Sequence, residues 1–334
     1  MASESQQAVG DAWGDDISDE RKIALRAIQE TWAQDAEHAG KLGPFMGVVL
    51  SGADVYWLAS QTPPPTSPPG VVQGGNVPDR SDLHLQGTNL RQAHLQGAQL
   101  YGAHLEGAVL FGAHLEGATL SCAHLERAML WMARLQGATL LHAHLVQAKL
   151  MRVQLDGASL EQAHLEDANL VGATLGKSTR LNGARLDGAA LDQVDFAGSN
   201  LTVVEWGTVR RLGDEILARW PVNEDGRRKP HSQQADEFQA AARAYRQLAN
   251  ALRQQGLNDN ADHFAYRAQV CQRQVYRLRR ERVPAIVAWL LDVISGHGYQ
   301  PGKTLAWYLG TLIVFAVAYF AATHGVLTFG LPHS

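Results

Sequence analysis

Cysteine is nearly absent from this sequence: Cys122 and Cys271 are the two in 334 residues. Two thiols make neither a disulfide framework nor a Cys-rich zinc site, so stapled mini-folds are excluded and a reducing compartment is the default. Rings are scarce too, at 7% of residues, which leaves too few to fill an ordinary aromatic core. No excess of one charge exists. The 29 basic and 33 acidic residues leave a net of −4, too small for a general nucleic-acid binder, and no nucleic-acid partner is expected. The opening MASESQQAVGDAWGDD has no basic or apolar run and so no secretory signal. What is plentiful is Leu, Ala, 32 Gly and 14 His, in a chain 46% apolar and thus not disordered.

Charge is unevenly spread. Residues 1–80 hold five basic and eleven acidic residues, a net of −6. Residues 81–201 hold eight against eleven, −3, and residues 205–283 hold fifteen against ten, +5. A basic stretch therefore precedes the most apolar segment, which bears on partners more than the total does.

Periodicity accounts for the Leu and Ala. Leucine recurs at every fifth residue from Leu85 to Leu175, 19 times without a miss, and resumes at Leu181, Leu186, Leu191, Phe196 and Leu201. A small residue, usually Ala, sits two positions earlier, as at Ala93, Ala98 and Ala103. Neither a 3.6-residue helix nor a two-residue strand keeps every fifth residue on one side. A square coil of four five-residue sides does, and it points the Leu and the Ala inward. Residues Gly176 to Arg180 add one residue to the period, to be absorbed at a corner.

Segments such as GAHLEGAVLFGAHLEGATL and EDANLVGATL resemble the pentapeptide-repeat family, whose pattern is A-(D/N)-L-x-x. The resemblance covers about 81–205 and implies a mainly β solenoid, a right-handed quadrilateral β-helix. Its 24 repeats make six coils, roughly 30 Å of rod. Around it the expected organisation is an N-terminal amphipathic segment over 1–45, a possible cap strand over 46–60 and a Pro/Gly-rich linker over 61–80. The amphipathic helix itself is expected over 17–39, with Ile23, Ile28 and Trp32 on its apolar face. A linker over 206–232 then leads to a basic helical hairpin over 233–283. An interfacial helix over 284–298, a transmembrane helix over 304–324 and a tail over 325–334 complete the chain.

Taking every twentieth residue sorts the outward positions into columns. One column before the Leu is His84, His104, His124, His144 and His164; the column after it is Gln86, Glu106, Glu126, Val146 and Glu166. The opposite face carries His94, His114, Arg134, Gln154 and Thr174. The family prefers Asp or Asn before the Leu, so histidine is a departure. The imidazole and carboxylate ladders suit a metal strip or a pH sensor. A solvated polar face with an inherited period is the plainer reading and is preferred, so no metal or other cofactor is expected. A neighbouring face is apolar instead: Val109, Phe111, Met129, Trp131, Met132, Met151 and Val171 form an outward stripe. Stripes of this kind usually meet something: the N-terminal helix or a neighbouring domain of the same chain, a second copy, or a protein partner.

The period turns helical in the last third. Phe238, Ala242, Tyr245, Ala249 and Leu252 share one face, and Phe264, Ala268, Cys271, Val275 and Leu278 share another. Arg273, Arg277, Arg279, Arg280, Arg282 and Lys303 precede residues 304–322, which carry no charge in 19 positions. That length and the placement of Trp307, Tyr308 and Tyr319 predict one membrane pass, with lipids as partner through 304–324. The basic flank predicts a bacterial cytoplasmic membrane location with the N-terminus and the rod inside.

Rod, hairpin with a YR-x-L pattern (Tyr245, Arg246, Leu248), basic helix and span together resemble bacterial proteins that fuse pentapeptide repeats to a two-helix ion-channel module. No pore loop, TVGYG-like filter or second span follows within the sequence. Enzymatic motifs are absent: the HLE tripeptide imitates the H-x-E of zinc deaminases without their P-C-x-x-C. The leading expectation is a non-enzymatic, membrane-anchored interaction scaffold presenting the rod in the cytoplasm. The first alternative is a truncated or accessory subunit of a channel-like membrane protein. The second, implied by family members that mimic duplex DNA, is gyrase binding with quinolone tolerance; a rod at −3 lacks the dense anionic surface it needs.

Overall fold

In a computed structural model, the described residues are 17–34, 44–61, 83–196, 198–223, 225–295 and 301–323. Residues 83–196 form a stack of four-sided coils. Four columns of parallel bridges join each side to the one above, for example His84 to His104, His124, His144 and His164, always 20 residues on. From Ser159 the step becomes 21, giving Ser159 to Arg180, His164 to Arg185 and Thr174 to Asp195. The extra residue lies in the side that begins at Gly176, where a Cβ would meet Asp156 Oδ1 at 2.2 Å. Thr179 turns inward there and its hydroxyl donates to Leu155 O at 2.7 Å.

The expected mainly β solenoid is corrected by this geometry. Among the described residues there is no strand and no sheet, only isolated bridges, and the regular secondary structure is helical. The reason is the short side. Leu105 N donates to His124 O, and His124 N donates to Ala103 O, so pairing is satisfied around a single residue. The chain then turns: Ala108 N donates back to Leu105 O. The second residue of nearly every corner takes a left-handed φ, as at Gly107 (66°) and, one coil on, Arg127 (59°); the corner at 177–178 does not. No run of consecutive extended residues survives between corners.

The interior is a column of Leu flanked by Ala, from Leu85 to Leu175 and on to Leu191, nearly all fully buried. At roughly 1.5–3 kcal/mol for each buried Leu, this column replaces the aromatic core that the composition withholds.

Seven α-helices are described: α1 Asp19–Gln34, α2 Gly52–Gln61, α3 Gly213–Arg219, α4 His231–Gln254, α5 Asn258–Leu278, α6 Arg282–Ser295 and α7 Pro301–Thr323. Where a cap strand was expected over 46–60, one bridge residue, Val49, pairs with Asn89, and α2 follows. Ser51 and Asp54 cap α2 reciprocally, Ser51 N to Asp54 Oδ2 at 2.8 Å and Asp54 N to Ser51 Oγ at 3.1 Å. The start of α2 lies directly on the coil backbone, for a Cβ on Gly52 would meet His94 O at 2.0 Å.

Helix α1 turns a different face inward than expected: Leu25 is fully buried while Ile23 is exposed. The cause is an ion pair from Arg21 to Asp54 at 3.2 Å, which, with the Arg26 guanidinium over the Trp57 ring, sets the rotation of α1 on α2. The Trp32 side chain and Ala36 lie outside the described residues, as does the expected linker over 61–80 apart from Gln61, which ends α2.

The C-terminal end of the stack is closed by α3, within a segment expected to be a linker. Gly213 N donates to Ala189 O at 2.8 Å, and a Cβ at Gly213 would meet Gly188 O at 2.3 Å. Helices α4 and α5 pack on each other, and α4 on α3. Their contact surfaces are the apolar faces named above, with Tyr245, Phe264 and Cys271 fully buried.

The transmembrane helix and the membrane location are also corrected. Among the described residues no helix is long and apolar enough to cross a membrane. The large apolar side chains of α7 between Leu305 and Phe320 are exposed, and Trp307 ties the helix to Val293 O of α6. Residues 324–334 lie outside the described residues.

Candidate functional site

The side chains outside the coils are set by the bridge columns. His84, His104, His124, His144 and His164 stack ring on ring, with centroids 4.6–5.1 Å apart. That spacing equals the separation of paired backbones, so the ladder is a direct readout of the 20-residue period. Each carboxylate two residues later folds back on its histidine. His104 Nδ1 lies 3.0 Å from Glu106 Oε1, His124 Nδ1 3.5 Å from Glu126 Oε1, and His164 Nδ1 3.5 Å from Glu166 Oε1. Glu126 also faces the next histidine up, His144, at 3.8 Å.

The ladder perturbs its members. Burial pushes the Glu106 carboxyl up, but the His104 hydrogen bond, its own backbone N–H and the charges of His104 and His124 prevail and hold it below the usual range. His144 is pushed down by burial first and then by its histidine neighbours, against the attraction of Glu126 and Glu166. The second oxygens of Glu106, Glu126 and Glu166 are buried without a hydrogen-bond partner, as is that of Glu116 on the opposite face. Because the opposite face repeats it, this orphaned oxygen belongs to the coil geometry. Two groups have ligand atoms all within 4.8 Å of one another: His104, Glu106 and His124, and His124, Glu126 and His144.

On the opposite face His94 and His114 stack at 4.8 Å, and then Arg134 stands 3.8 Å from Glu116. The apolar stripe begins beside this face. Met129, Trp131 and Met132 are 39%, 38% and 49% exposed, while Val109, Phe111, Met151 and Val171 are half-buried. Arg91 covers Phe111, its guanidinium 5.3 Å from the ring. The stripe is therefore open at one coil and shielded below it. A shallow depression lies at its edge, lined by Gln92, His94, Phe111, His114, Met132 and Arg134.

The basic residues before α7 divide. Arg273 is paired to Asp292 of α6, which also accepts from Tyr266 at 2.9 Å, and Arg279 is paired to Asp236 at 2.9 Å. These two hold helices together. Arg277, Arg280 and Arg282 are exposed. The side chain of Lys303 is outside the described residues. Trp307 donates to Val293 O at 2.8 Å, and Tyr308 and Tyr319 are exposed on α7.

A buried polar cluster went unseen in the sequence. Glu215 of α3, with no exposed side-chain surface, is clamped by Arg267, by Arg219 at 2.7 Å and by the Tyr245 hydroxyl at 2.8 Å. Burial pushes the Glu215 carboxyl up, yet these partners outweigh it and hold it down. The same Tyr245 oxygen accepts from Leu212 N at 3.0 Å. Next to it, Asp214 accepts from Leu191 N at 2.7 Å and is pushed up to about 6 by burial, with Asp192 adding to the rise and backbone N–H groups opposing it. The cluster ties α3, α4 and α5 to the stack. The one sequence signal for it was the Glu215–Arg219 spacing of four.

The Pentapeptide repeats family model matches eight copies here, over 81–110, 108–140, 133–167 and 148–179. Together they span 81–179, 99 of the 334 residues, and that segment is a run of pentapeptide repeats. Solved structures that the chain resembles include pentapeptide-repeat proteins. One is Rfr23 from the cyanobacterium Cyanothece 51142, at 26% identity and a TM-score of 0.17, over 34% of this chain and 66% of that one. Another is HetL, involved in heterocyst differentiation regulation in Nostoc sp. strain PCC 7120, at 25% identity and a TM-score of 0.18, over 43% and 76%. A third is QnrB1, a plasmid-mediated fluoroquinolone resistance protein, at 15% identity and a TM-score of 0.30, over 40% and 60%. The chain thus spans under two thirds of QnrB1 and of Rfr23. No curated protein matches the sequence. The family match ends at residue 179, and nothing compared shows an ion-channel module.

Proposed function

We propose that this protein is a non-enzymatic interaction module whose coil stack presents one apolar side to a protein surface. The observation that carries this reading is the exposed group Met129, Trp131 and Met132 on an otherwise polar stack. Large apolar side chains held on a rigid backbone lose little entropy when covered, which favours association. The interior is a closed Leu column, so it offers no room for a substrate. The described polar groups pair with neighbours along the coils in repeating patterns that suit a surface better than a reaction centre.

The test replaces Trp131→Glu and Met132→Glu together in the full chain. Both side chains point out of the stack, so the circular-dichroism spectrum and melting temperature should change little. Sedimentation equilibrium should show self-association of the wild type that the double variant loses, or crosslinking in cell extract should give a defined partner that it loses. A monomeric wild type with the same crosslinking pattern as the variant overturns the reading.

A further inference from the structure

The histidine face contains one place where three ligands converge, and the sequence confines it to the middle of the ladder. His104, Glu106, His124, Glu126 and His144 make two overlapping sets of two imidazoles and one carboxylate. Below them the position between the paired histidines is Gln86, and above them it is Val146; Glu166 lies 3.5 Å from His164 on its far side, and among the described residues no third set forms with His144. On the opposite face the third position is Arg134, a fixed cation 3.8 Å from Glu116. The two-histidine, one-carboxylate arrangement is thus a local feature of three coils and not a general property of the repeat.

The geometry points to a zinc site on this face, formed by His124 with either His104 and Glu106 or His144 and Glu126. Imidazole nitrogen with carboxylate oxygen is a donor set zinc accepts readily, and three protein ligands leave a fourth position for water. Zinc–nitrogen bonds of about 2.0–2.1 Å in a tetrahedron place the ligand atoms roughly 3.3 Å apart. His104 Nδ1 and Glu106 Oε1 already lie 3.0 Å apart. The ligand atoms, now within 4.8 Å of one another, need to close by up to about 1.5 Å, and at the surface the side-chain χ angles are open to such a change. Both sets draw on His124, so they compete, and the stack takes one ion. Bound there, the ion links consecutive coils across the bridge column.

The experiment uses the full chain without a histidine tag, stripped with chelator and titrated calorimetrically with zinc chloride at neutral pH. One zinc is expected per chain, together with a rise in melting temperature. His124→Ala removes the shared ligand and should weaken binding at least tenfold, whereas His114→Ala on the opposite face should leave it unchanged. Arg134→His supplies the missing imidazole beside His114 and Glu116 and should raise the stoichiometry from one to two. No binding up to millimolar zinc overturns the proposal. So does a wild-type affinity in His124→Ala, or an equal loss in His114→Ala.

Discussion

At the scale of residues, the corner positions hold untapped stability. The corner that carries Gly102 carries Cys122, His142 and Gln162 in the next three coils, all with φ between 56° and 70°. A left-handed φ costs a residue with a Cβ about 1–2 kcal/mol, while glycine loses about 0.5–1 kcal/mol of chain entropy. His142→Gly should therefore stabilise the protein by up to about 1 kcal/mol, measured by urea unfolding; a loss of stability would show that the His142 side chain contributes more than its backbone costs. The small residue two before the Leu and the outward histidines were legible in the sequence, because a five-residue period is incompatible with any other regular structure. The exposure of Ile23 and burial of Leu25 were not, because α1 is oriented by Arg21 reaching Asp54, 33 residues away.

At the scale of elements, α3 is a plug with a titratable face. Asp214 is pushed up to about 6 from 3.8, chiefly by burial. A raised carboxyl means the folded state holds its proton longer than the unfolded chain does, so this group's contribution falls as pH rises from about 4 to about 6. Over that shift the loss is at most about 3 kcal/mol. Asp214→Asn keeps an oxygen for Leu191 N and removes the charge. It should gain stability at pH 7 and little at pH 4, by urea unfolding across that range. Identical pH profiles for the two proteins would refute this. The plug itself was hidden in the sequence: seven residues with two adjacent acids look like linker until Tyr245 and Arg267, contributed by α4 and α5, cover Glu215. The hairpin faces were legible, since their apolar period is helical. The span was misread because hydropathy counts apolar residues and charges alone, and the uncharged run of 304–322 scores the same in a helix tied to its neighbour, as α7 is to α6 through Trp307 and Val293 O.

At the scale of the molecule, the coils form a one-dimensional array in which each touches its neighbours alone. A cavity in one coil should be felt locally. Leu140→Ala, at a site 1% exposed, should cost about 2–5 kcal/mol. Hydrogen exchange should rise most in the adjoining coils, over 115–165, while α4 and α5 keep their protection. Equal loss of protection throughout the chain would mean stack and hairpin unfold as one unit. The quadrilateral phase of this array was legible to within a residue, including the extra residue near Gly176. The class of structure was not, because a side of five residues with a corner leaves one residue to pair and no strand to count.

The change of step from 20 to 21 at Ser159 has a geometric corollary. Register in this stack is counted by corners, so the coil tolerates a lengthened side and still closes. A whole added coil of four sides would move the plug at α3 along the axis by about 4.8 Å and leave its heading unchanged. A single added side would turn it by a quarter of a revolution. The stack thus behaves as a threaded spacer: the number of repeats sets how far apart the two capped ends stand, and that number modulo four sets which way each of them faces.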